Sequence, residues 1–149
     1  MALMWVSRFK RFFRAAAGLD VDKDDLRRYS DFINRKVYDV LLIGQTTAKA
    51  NGRDIIEPWD LPITKGLQES VCDFERMDEE VELQPILEQL AALPPLDFAY
   101  SEETEARLSG LVGGLSLVLA RTFKVLDPKL KDPHTAHWER IFQIFDLLL

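Results

Sequence analysis

Apolar residues recur every three or four positions along most of the chain, which is the spacing of one face of an α-helix. The pattern predicts a short helix over about residues 7–17, stopped by Gly18. A long helix follows, capped by Asp22 or Asp24 and running to about Lys49. The first third of the sequence therefore predicts one short helix and one long helix.

A short loop follows the first long helix. Residues 52–53 open it, and residues 55–56 are expected to be extended. A third helix is predicted to begin at Glu57-Pro58, because proline suits the first helical turn, where its missing N–H would have no partner. Pro62 lies inside this expected helix and predicts a shifted or kinked start.

The second half of the chain repeats the order short, long, short. We predict a short helix over residues 83–93, a long helix from a cap at Ser101 to about Leu126, and a last helix over residues 134–148. Sustained alternation of apolar and polar residues, which is typical of strands, does not occur. The sequence therefore predicts an all-α fold.

The two predicted three-helix units are residues 7–76 and 83–149, joined by the acidic residues 72–82, which we expect to be solvated. Each unit is too small to bury enough apolar surface alone. We therefore expect the two long helices to pack together in one shared core, so that residues 1–149 form a single compact domain.

Two motifs in the first half are typical of one known family. One is Arg11-Phe-Phe-Arg14, followed by small residues and a glycine, and the other is residues 52–60, in which an Asp stands seven positions after the Arg of Gly-Arg. In both motifs the first half resembles an archaeal histone. A short helix, a long helix and a short helix is also the order of helices in the histone fold. Overall the chain is similar to a small bacterial family of uncharacterised proteins in which one chain supplies two histone folds as an intramolecular pseudodimer. The second half matches in helix order only, since residues 131–138 contain no Arg/Asp pair.

The resemblance implies a structural ion pair and a DNA surface. The ion pair, between Arg53 and Asp60, would lock the second loop to the third helix. Phosphates of double-stranded DNA would contact Arg11 and Arg14 of the first helix, and Lys49 and Arg53 beside the second loop. Such contacts need cations rather than a base-reading pattern, so the binding would be weak, salt-sensitive and independent of DNA sequence.

The charge of the chain opposes that DNA surface. The net charge is −6, divided into +2 for residues 1–72 and −8 for residues 73–149. A duplex that met both halves would be repelled by the second. The alternative interpretation is an acidic histone-fold module that binds protein, or binds itself, and does not bind DNA.

The other chemistry-bearing residues predict no enzyme, cofactor or metal site. His134 and His137 have a spacing that suits a metal but lack a third ligand, so capping or surface roles are favoured. Cys72 has no catalytic signature around it and is expected to be a buried thiol. Glycines within residues 110–114 are expected to permit a close helix crossing, and the paired carboxylates at residues 24–25 are expected to be exposed.

The expected compartment is the cytoplasm, without a membrane partner. The apolar N-terminus precedes its positive charges instead of following them, unlike a secretory signal. The apolar runs fall short of the roughly 18 residues that span a bilayer. A single cysteine excludes an internal disulfide and suits a reducing compartment. Because the histone-like pairing would be satisfied within one chain, we expect a monomer.

Overall fold

The predicted all-α class is confirmed. The computed structural model describes residues 2–77, 88 and 92–148. In this part of the chain there are five α-helices and one 3-10 turn, and two strands of two residues each form a parallel pair. In chain order the elements are α1 (Ala2–Ala17), α2 (Lys23–Ala50), β1 (Ile55–Ile56), the 3-10 turn (Pro58–Asp60), α3 (Lys65–Arg76), β2 (Ala99–Tyr100), α4 (Glu102–Leu126) and α5 (Thr135–Leu148).

Two of the predictions concern segments that the structure describes only in part. The short helix expected over residues 83–93 lies outside the described residues except for residue 88, which is helical, and residues 92–93, which are not. Residues 78–82 of the acidic segment 72–82 also lie outside them, whereas residues 72–76 form the last part of α3. At the other end of the chain, α1 begins at Ala2, earlier than predicted.

Both long helices begin at the predicted caps. The side chain of Asp22 accepts a hydrogen bond from the N–H of Asp25 at 2.9 Å, and the Asp25 side chain accepts one from the N–H of Asp22 at 3.0 Å. Ser101 caps α4 by accepting a bond from the N–H of Thr104 at 3.2 Å. These side chains satisfy N–H groups that a helix start leaves without partners.

The third helix begins later than predicted. Pro58 starts only the 3-10 turn, and α3 begins at Lys65. The reason is Pro62, which has no N–H to donate and favours extended backbone at the residue before it, Leu61, whose ψ is 135°. Thr64 then caps α3 through its side-chain oxygen.

The two short strands were not predicted, although an extended backbone at residues 55–56 was. β1 and β2 pair in parallel. Ile56 is fully buried, and its carbonyl accepts bonds from the N–H of Ser101 at 3.0 Å and the hydroxyl of Thr104 at 2.8 Å. Two residues per strand are too few to produce the alternation by which strands are detected in a sequence.

Helix α4 occupies the centre of the fold. It contacts α1, α2, α3 and α5, and residues 111–120 are buried apart from the half-buried Val118. Among the described helices, α4 alone is long and apolar enough to cross a membrane, and 61% of its most apolar window is buried inside the protein. A central position among four helices explains an apolar surface of this extent.

The core draws on both halves of the chain. Phe12 and Phe13 of α1 are almost completely buried, and the ring of Phe13 lies 6.0 Å from that of Trp138 in α5. The hydroxyls of Tyr29 in α2 and Ser116 in α4 share a buried hydrogen bond of 2.7 Å. Apolar and polar contacts therefore both join the two halves.

Two glycines allow α3 to pack directly against α4. A Cβ atom at Gly113 would lie 2.2 Å from the ring of Phe74. At Gly114 it would lie 2.5 Å from Cγ2 of Val71 and 3.1 Å from its Cα atom. The prediction that these glycines permit a close helix crossing is confirmed.

The crossing predicts opposite effects for two Gly-to-Ala changes. Gly114→Ala should lower the free energy of unfolding by roughly 1–3 kcal/mol, because the backbone of α3 must move to admit a methyl group. Gly66→Ala, in α3 with no atom within 4 Å of its Cβ position, should be stabilising by up to about 1 kcal/mol. Urea unfolding of both variants measures the difference. A Gly114→Ala variant as stable as Gly66→Ala would contradict the close crossing.

Candidate functional site

Arg53 and Asp60 form a bidentate ion pair at the end of α2. The Nη1 and Nη2 atoms of Arg53 donate to the two carboxylate oxygens of Asp60, both at 2.6 Å. The Asp60 side chain is 1% exposed and also accepts a bond from the N–H of Glu57 at 2.8 Å. The pair therefore ties the loop after α2 to the 3-10 turn, and not to the third helix as the resemblance implied.

This pairing occupies the Arg53 guanidinium. Its hydrogen bonds lower the pKa of Asp60 below the usual 3.8, although burial of that carboxyl opposes the shift. The guanidinium also lies over the ring of Trp59 at 6.0 Å. Arg53 is thus engaged by a buried carboxylate and an aromatic face of the protein itself.

The four residues expected to contact DNA do not form one cluster. Lys49 and Arg53 lie at the C-terminal end of α2. Arg14, one turn after Arg11 in α1, is ion-paired at 3.3 Å with Asp20, which precedes the N-terminal end of α2. With 28 residues, α2 is about 40 Å long, so the two pairs of cations are separated by the length of a helix.

The loop between α1 and α2 meets the loop between α4 and α5. The N–H of Asp20 donates to the carbonyl of Lys131 at 2.7 Å, which brings Lys131 to the same end of the molecule as Arg14. Asp132 follows Lys131 directly, and Asp127 lies in the same loop. Carboxylates therefore accompany the cations at this end.

The opposite end, at β1 and β2, is acidic. Because the N–H of Ser101 bonds to Ile56, the first turn of α4 lies beside the loop after α2. That turn contains the exposed side chains of Glu102 and Glu103. The loop itself contributes the exposed Asp54. The end of the molecule that contains Lys49 and Arg53 therefore also contains exposed carboxylates, which repel phosphate.

An apolar trough runs between α3, α4 and α5. One cavity of about 430 Å³ is lined by apolar residues of all three helices and continues into a second cavity, of about 220 Å³, toward α2. The apolar trough is defined by Val40, Ile43, Leu67, Leu115, Val118, Val125, Phe145 and Leu148. Val125 is 79% exposed and Leu148 is 73% exposed.

Sequence reasoning missed this trough. Its signal was a run of consecutive apolar residues at each of two helix ends, 125–126 in α4 and 147–148 in α5. Adjacent residues of a helix lie about 100° apart, so the members of such a run do not all face the same side. Exposed apolar residues that adjoin one another, unlike single ones, are typical of a surface that another molecule covers.

The two histidines have the capping role that the sequence favoured. The N–H of His134 donates to Nδ1 of His137 at 2.8 Å, at the start of α5. Among the residues that the structure describes, no group of three or more His, Cys, Asp or Glu side chains is placed to hold a metal ion.

Two smaller expectations were wrong. Cys72 is half-buried instead of buried, and its Sγ lies 3.7 Å from Nε2 of Gln68. Asp25 was expected to be exposed with Asp24 but is 4% exposed, because its carboxylate turns back to the N–H of Asp22. Burial raises the pKa of Asp25, and the hydrogen bond from Asp22 opposes the shift.

Comparison with known proteins places the chain in a family. A model of a domain of unknown function, DUF1931, matches residues 9–146. The chain belongs to this family. Two uncharacterized proteins of Aquifex aeolicus (strain VF5) resemble it, one 25% identical over 139 residues, covering 93% of this chain and 81% of the relative. The other is 29% identical over 137 residues, covering 83% of this chain and 80% of the relative.

Two crystal structures resemble this DUF1931 chain. One, of a protein from Thermus thermophilus, has a TM-score of 0.92 and 53% identity, with 97% of each chain covered. The other, a protein from Aquifex aeolicus, has a TM-score of 0.83 over 96% of this chain and 94% of its own. At 24% identity the second match shows a shared fold alone.

The ion pair predicts coupled effects of mutation at its two residues. Asp60→Ala should lower the free energy of unfolding by roughly 1–3 kcal/mol, because it leaves two guanidinium donors and a backbone N–H without their acceptor. Arg53→Ala should also be destabilising, and the double variant should lose less than the sum of the single losses. Urea unfolding of the four proteins gives the coupling, and additive losses would contradict the pair.

The coupling should also depend on pH. Because the pKa of Asp60 is lower in the folded state than its usual 3.8, the contribution of the pair is complete above that value. It is lost as the pH falls through the lowered folded-state pKa. Repeating the cycle at successively more acidic pH should therefore show the coupling decline, whereas a coupling that is constant down to strong acid would exclude Asp60 as its source.

Proposed function

We propose that this chain is a cytoplasmic single-chain histone-fold pseudodimer that binds protein and not DNA. In this proposal residues 7–76 and 83–149 are the two histone-fold units of one compact domain. The helix order of α1, α2 and α3 supports the first unit, and the long α4 followed by the short α5 supports the second.

The loop contacts support an approximate two-fold relation between the units. The segment after α2 pairs with the segment before α4, as β1 with β2. The segment after α4, at Lys131, bonds to the segment before α2, at Asp20. Each loop after a long helix therefore meets the segment before the other long helix, as a pair related by a two-fold axis requires.

The functional proposal rests on the ion pairs that Arg53 and Arg14 form at opposite ends of the molecule. Arg53 is held by the buried carboxylate of Asp60, and Arg14 is paired with Asp20. A phosphate at Arg53 would have to displace the buried carboxylate of Asp60 and would also approach Glu102 and Glu103. At Arg14 it would meet the nearby carboxylate of Asp20, although that ion pair is exposed. Non-specific DNA affinity comes from cations that neutralise phosphates, so this arrangement opposes it.

The apolar trough supports a protein partner. Most of its lining is apolar, although Arg121 and Lys36 also line it, and Val125 and Leu148 at its edge are mostly exposed. Contiguous apolar surface that is left in water is typical of a site that another protein covers.

Titration of labelled duplex DNA with the full chain, at several salt concentrations, tests the proposal. We expect no saturable binding at any salt concentration. Wild-type affinity that falls as salt rises would contradict the proposal. DNA binding through the first helix would then be the function if the double variant Arg11→Ala with Arg14→Ala had a shallower slope of log affinity against log salt concentration, by roughly one or two units. The matched control is Arg107→Ala with Arg140→Ala, which removes two exposed cations from the second half.

A further inference from the structure

Trp59 is a large aromatic side chain that the fold leaves in water. It lies in the 3-10 turn and is 69% exposed, although tryptophan side chains are on average highly buried. Ile55 in β1, four residues earlier, is 45% exposed. The 3-10 turn also contacts α4. The β1–β2 end therefore combines exposed aromatic and aliphatic surface with the exposed carboxylates described above.

The neighbours of Trp59 hold its ring in place. Pro58 restricts the backbone of the turn just before it. The guanidinium of Arg53 lies over the ring at 6.0 Å, and that guanidinium is itself fixed by its two hydrogen bonds to the buried carboxylate of Asp60. A side chain that is already held in one position loses little conformational entropy when a partner packs on it. The exposed surface of Trp59 is therefore a preformed contact.

Negative charge exceeds positive charge around this ring. Residues 49–60 and 101–107 meet at this end, because the N–H of Ser101 bonds to the carbonyl of Ile56. Together they contain six carboxylates and three cations, and the pair of Arg53 with Asp60 accounts for one of each. The other carboxylates are Asp54, Glu57, Glu102, Glu103 and Glu105, and the other cations are Lys49 and Arg107.

Three of these carboxylates have no cation of their own. Asp54, Glu102 and Glu103 are exposed and form no ion pair with any residue that the structure describes. Carboxylates of this kind attract and orient a positively charged partner, and they repel an acidic one.

A lysine or arginine side chain matches both properties of this surface. The face of an indole ring attracts a cation, and indole is the best of the aromatic side chains for this contact. Tryptophan is also enriched among the few residues that supply most of the binding energy of an interface. A basic protein segment could therefore use one cation on the ring and others on the carboxylates.

We propose that the β1–β2 end is a docking surface for a basic segment of a partner protein. One lysine or arginine of that segment packs on Trp59, and others pair with Asp54, Glu102 and Glu103. The inference rests on the proposed protein-binding role and names the chemistry of the partner. The surface shares no residue with the apolar trough.

Titration of the full chain with a fluorescein-labelled octalysine peptide tests the inference, and octaglutamate is the peptide of opposite charge. We expect saturable binding of octalysine that weakens as salt rises, and no binding of octaglutamate. In amide and indole NMR spectra, the indole N–H resonance of Trp59 should shift on binding. The resonance of Trp138, which is fully buried, should not.

Variants of the full chain locate the binding. Trp59→Ala should weaken octalysine binding by about tenfold, because the cation loses its aromatic contact. Urea unfolding should change little, since Trp59 is mostly exposed. Glu102→Gln with Glu103→Gln should also weaken the binding and reduce its dependence on salt. The matched control, Asp132→Asn with Glu139→Gln, removes two exposed carboxylates near the opposite end and should leave the affinity unchanged.

Two results would overturn the inference. One is the absence of saturable octalysine binding even at low salt. The other is binding that neither the Trp59 variant nor the Glu102 and Glu103 variant weakens, which would place the peptide elsewhere on an acidic protein. The DNA titration separates this inference from the proposed function. A chain that binds neither DNA nor octalysine contradicts only the inference, whereas a chain that binds both contradicts only the exclusion of DNA.

Discussion

Burial of α4 is the constraint on which the rest of the fold depends. Between residues 111 and 120 this helix is apolar on almost every side, and each 100 Å² of such surface left in water would cost about 2.5 kcal/mol. Its cover comes from α1, α2 and α3 of the first half and from α5 of the second. The glycine contact with α3, the aromatic contacts of α1 with α5, and the loop contacts at both ends all follow from this enclosure.

The sequence predicted the parts of the fold that are set by local chemistry. Asp22 and Ser101 cap the long helices because their side chains accept bonds from N–H groups only three residues away. The start of α3 was missed because a proline suits the first turn of either a 3-10 turn or an α-helix, so Pro58 does not distinguish them. The burial of Asp25 was missed because it depends on packing that no local pattern records.

The candidate site likewise has contacts that could be predicted from the sequence and contacts that could not. The contact of Arg53 with Asp60 was implied by the resemblance of residues 52–60 to a loop of archaeal histones, and the structure contains it. The glutamates at the β1–β2 end could not be predicted, because the loops of the two halves meet only in the folded chain. Those contacts decide the charge that DNA would encounter. The apolar trough likewise arises where the ends of three helices converge, which the pattern of any one helix does not reveal.

Separate expression of residues 1–76 and 77–149 tests most directly whether both halves share one core. Circular dichroism with urea unfolding should show neither fragment folding cooperatively alone, since α4 would lose α1, α2 and α3 and the first half would lose α4. Mixing the two fragments should restore a single cooperative transition. If each fragment instead unfolds cooperatively as a monomer, the shared core and the pseudodimer built on it are contradicted.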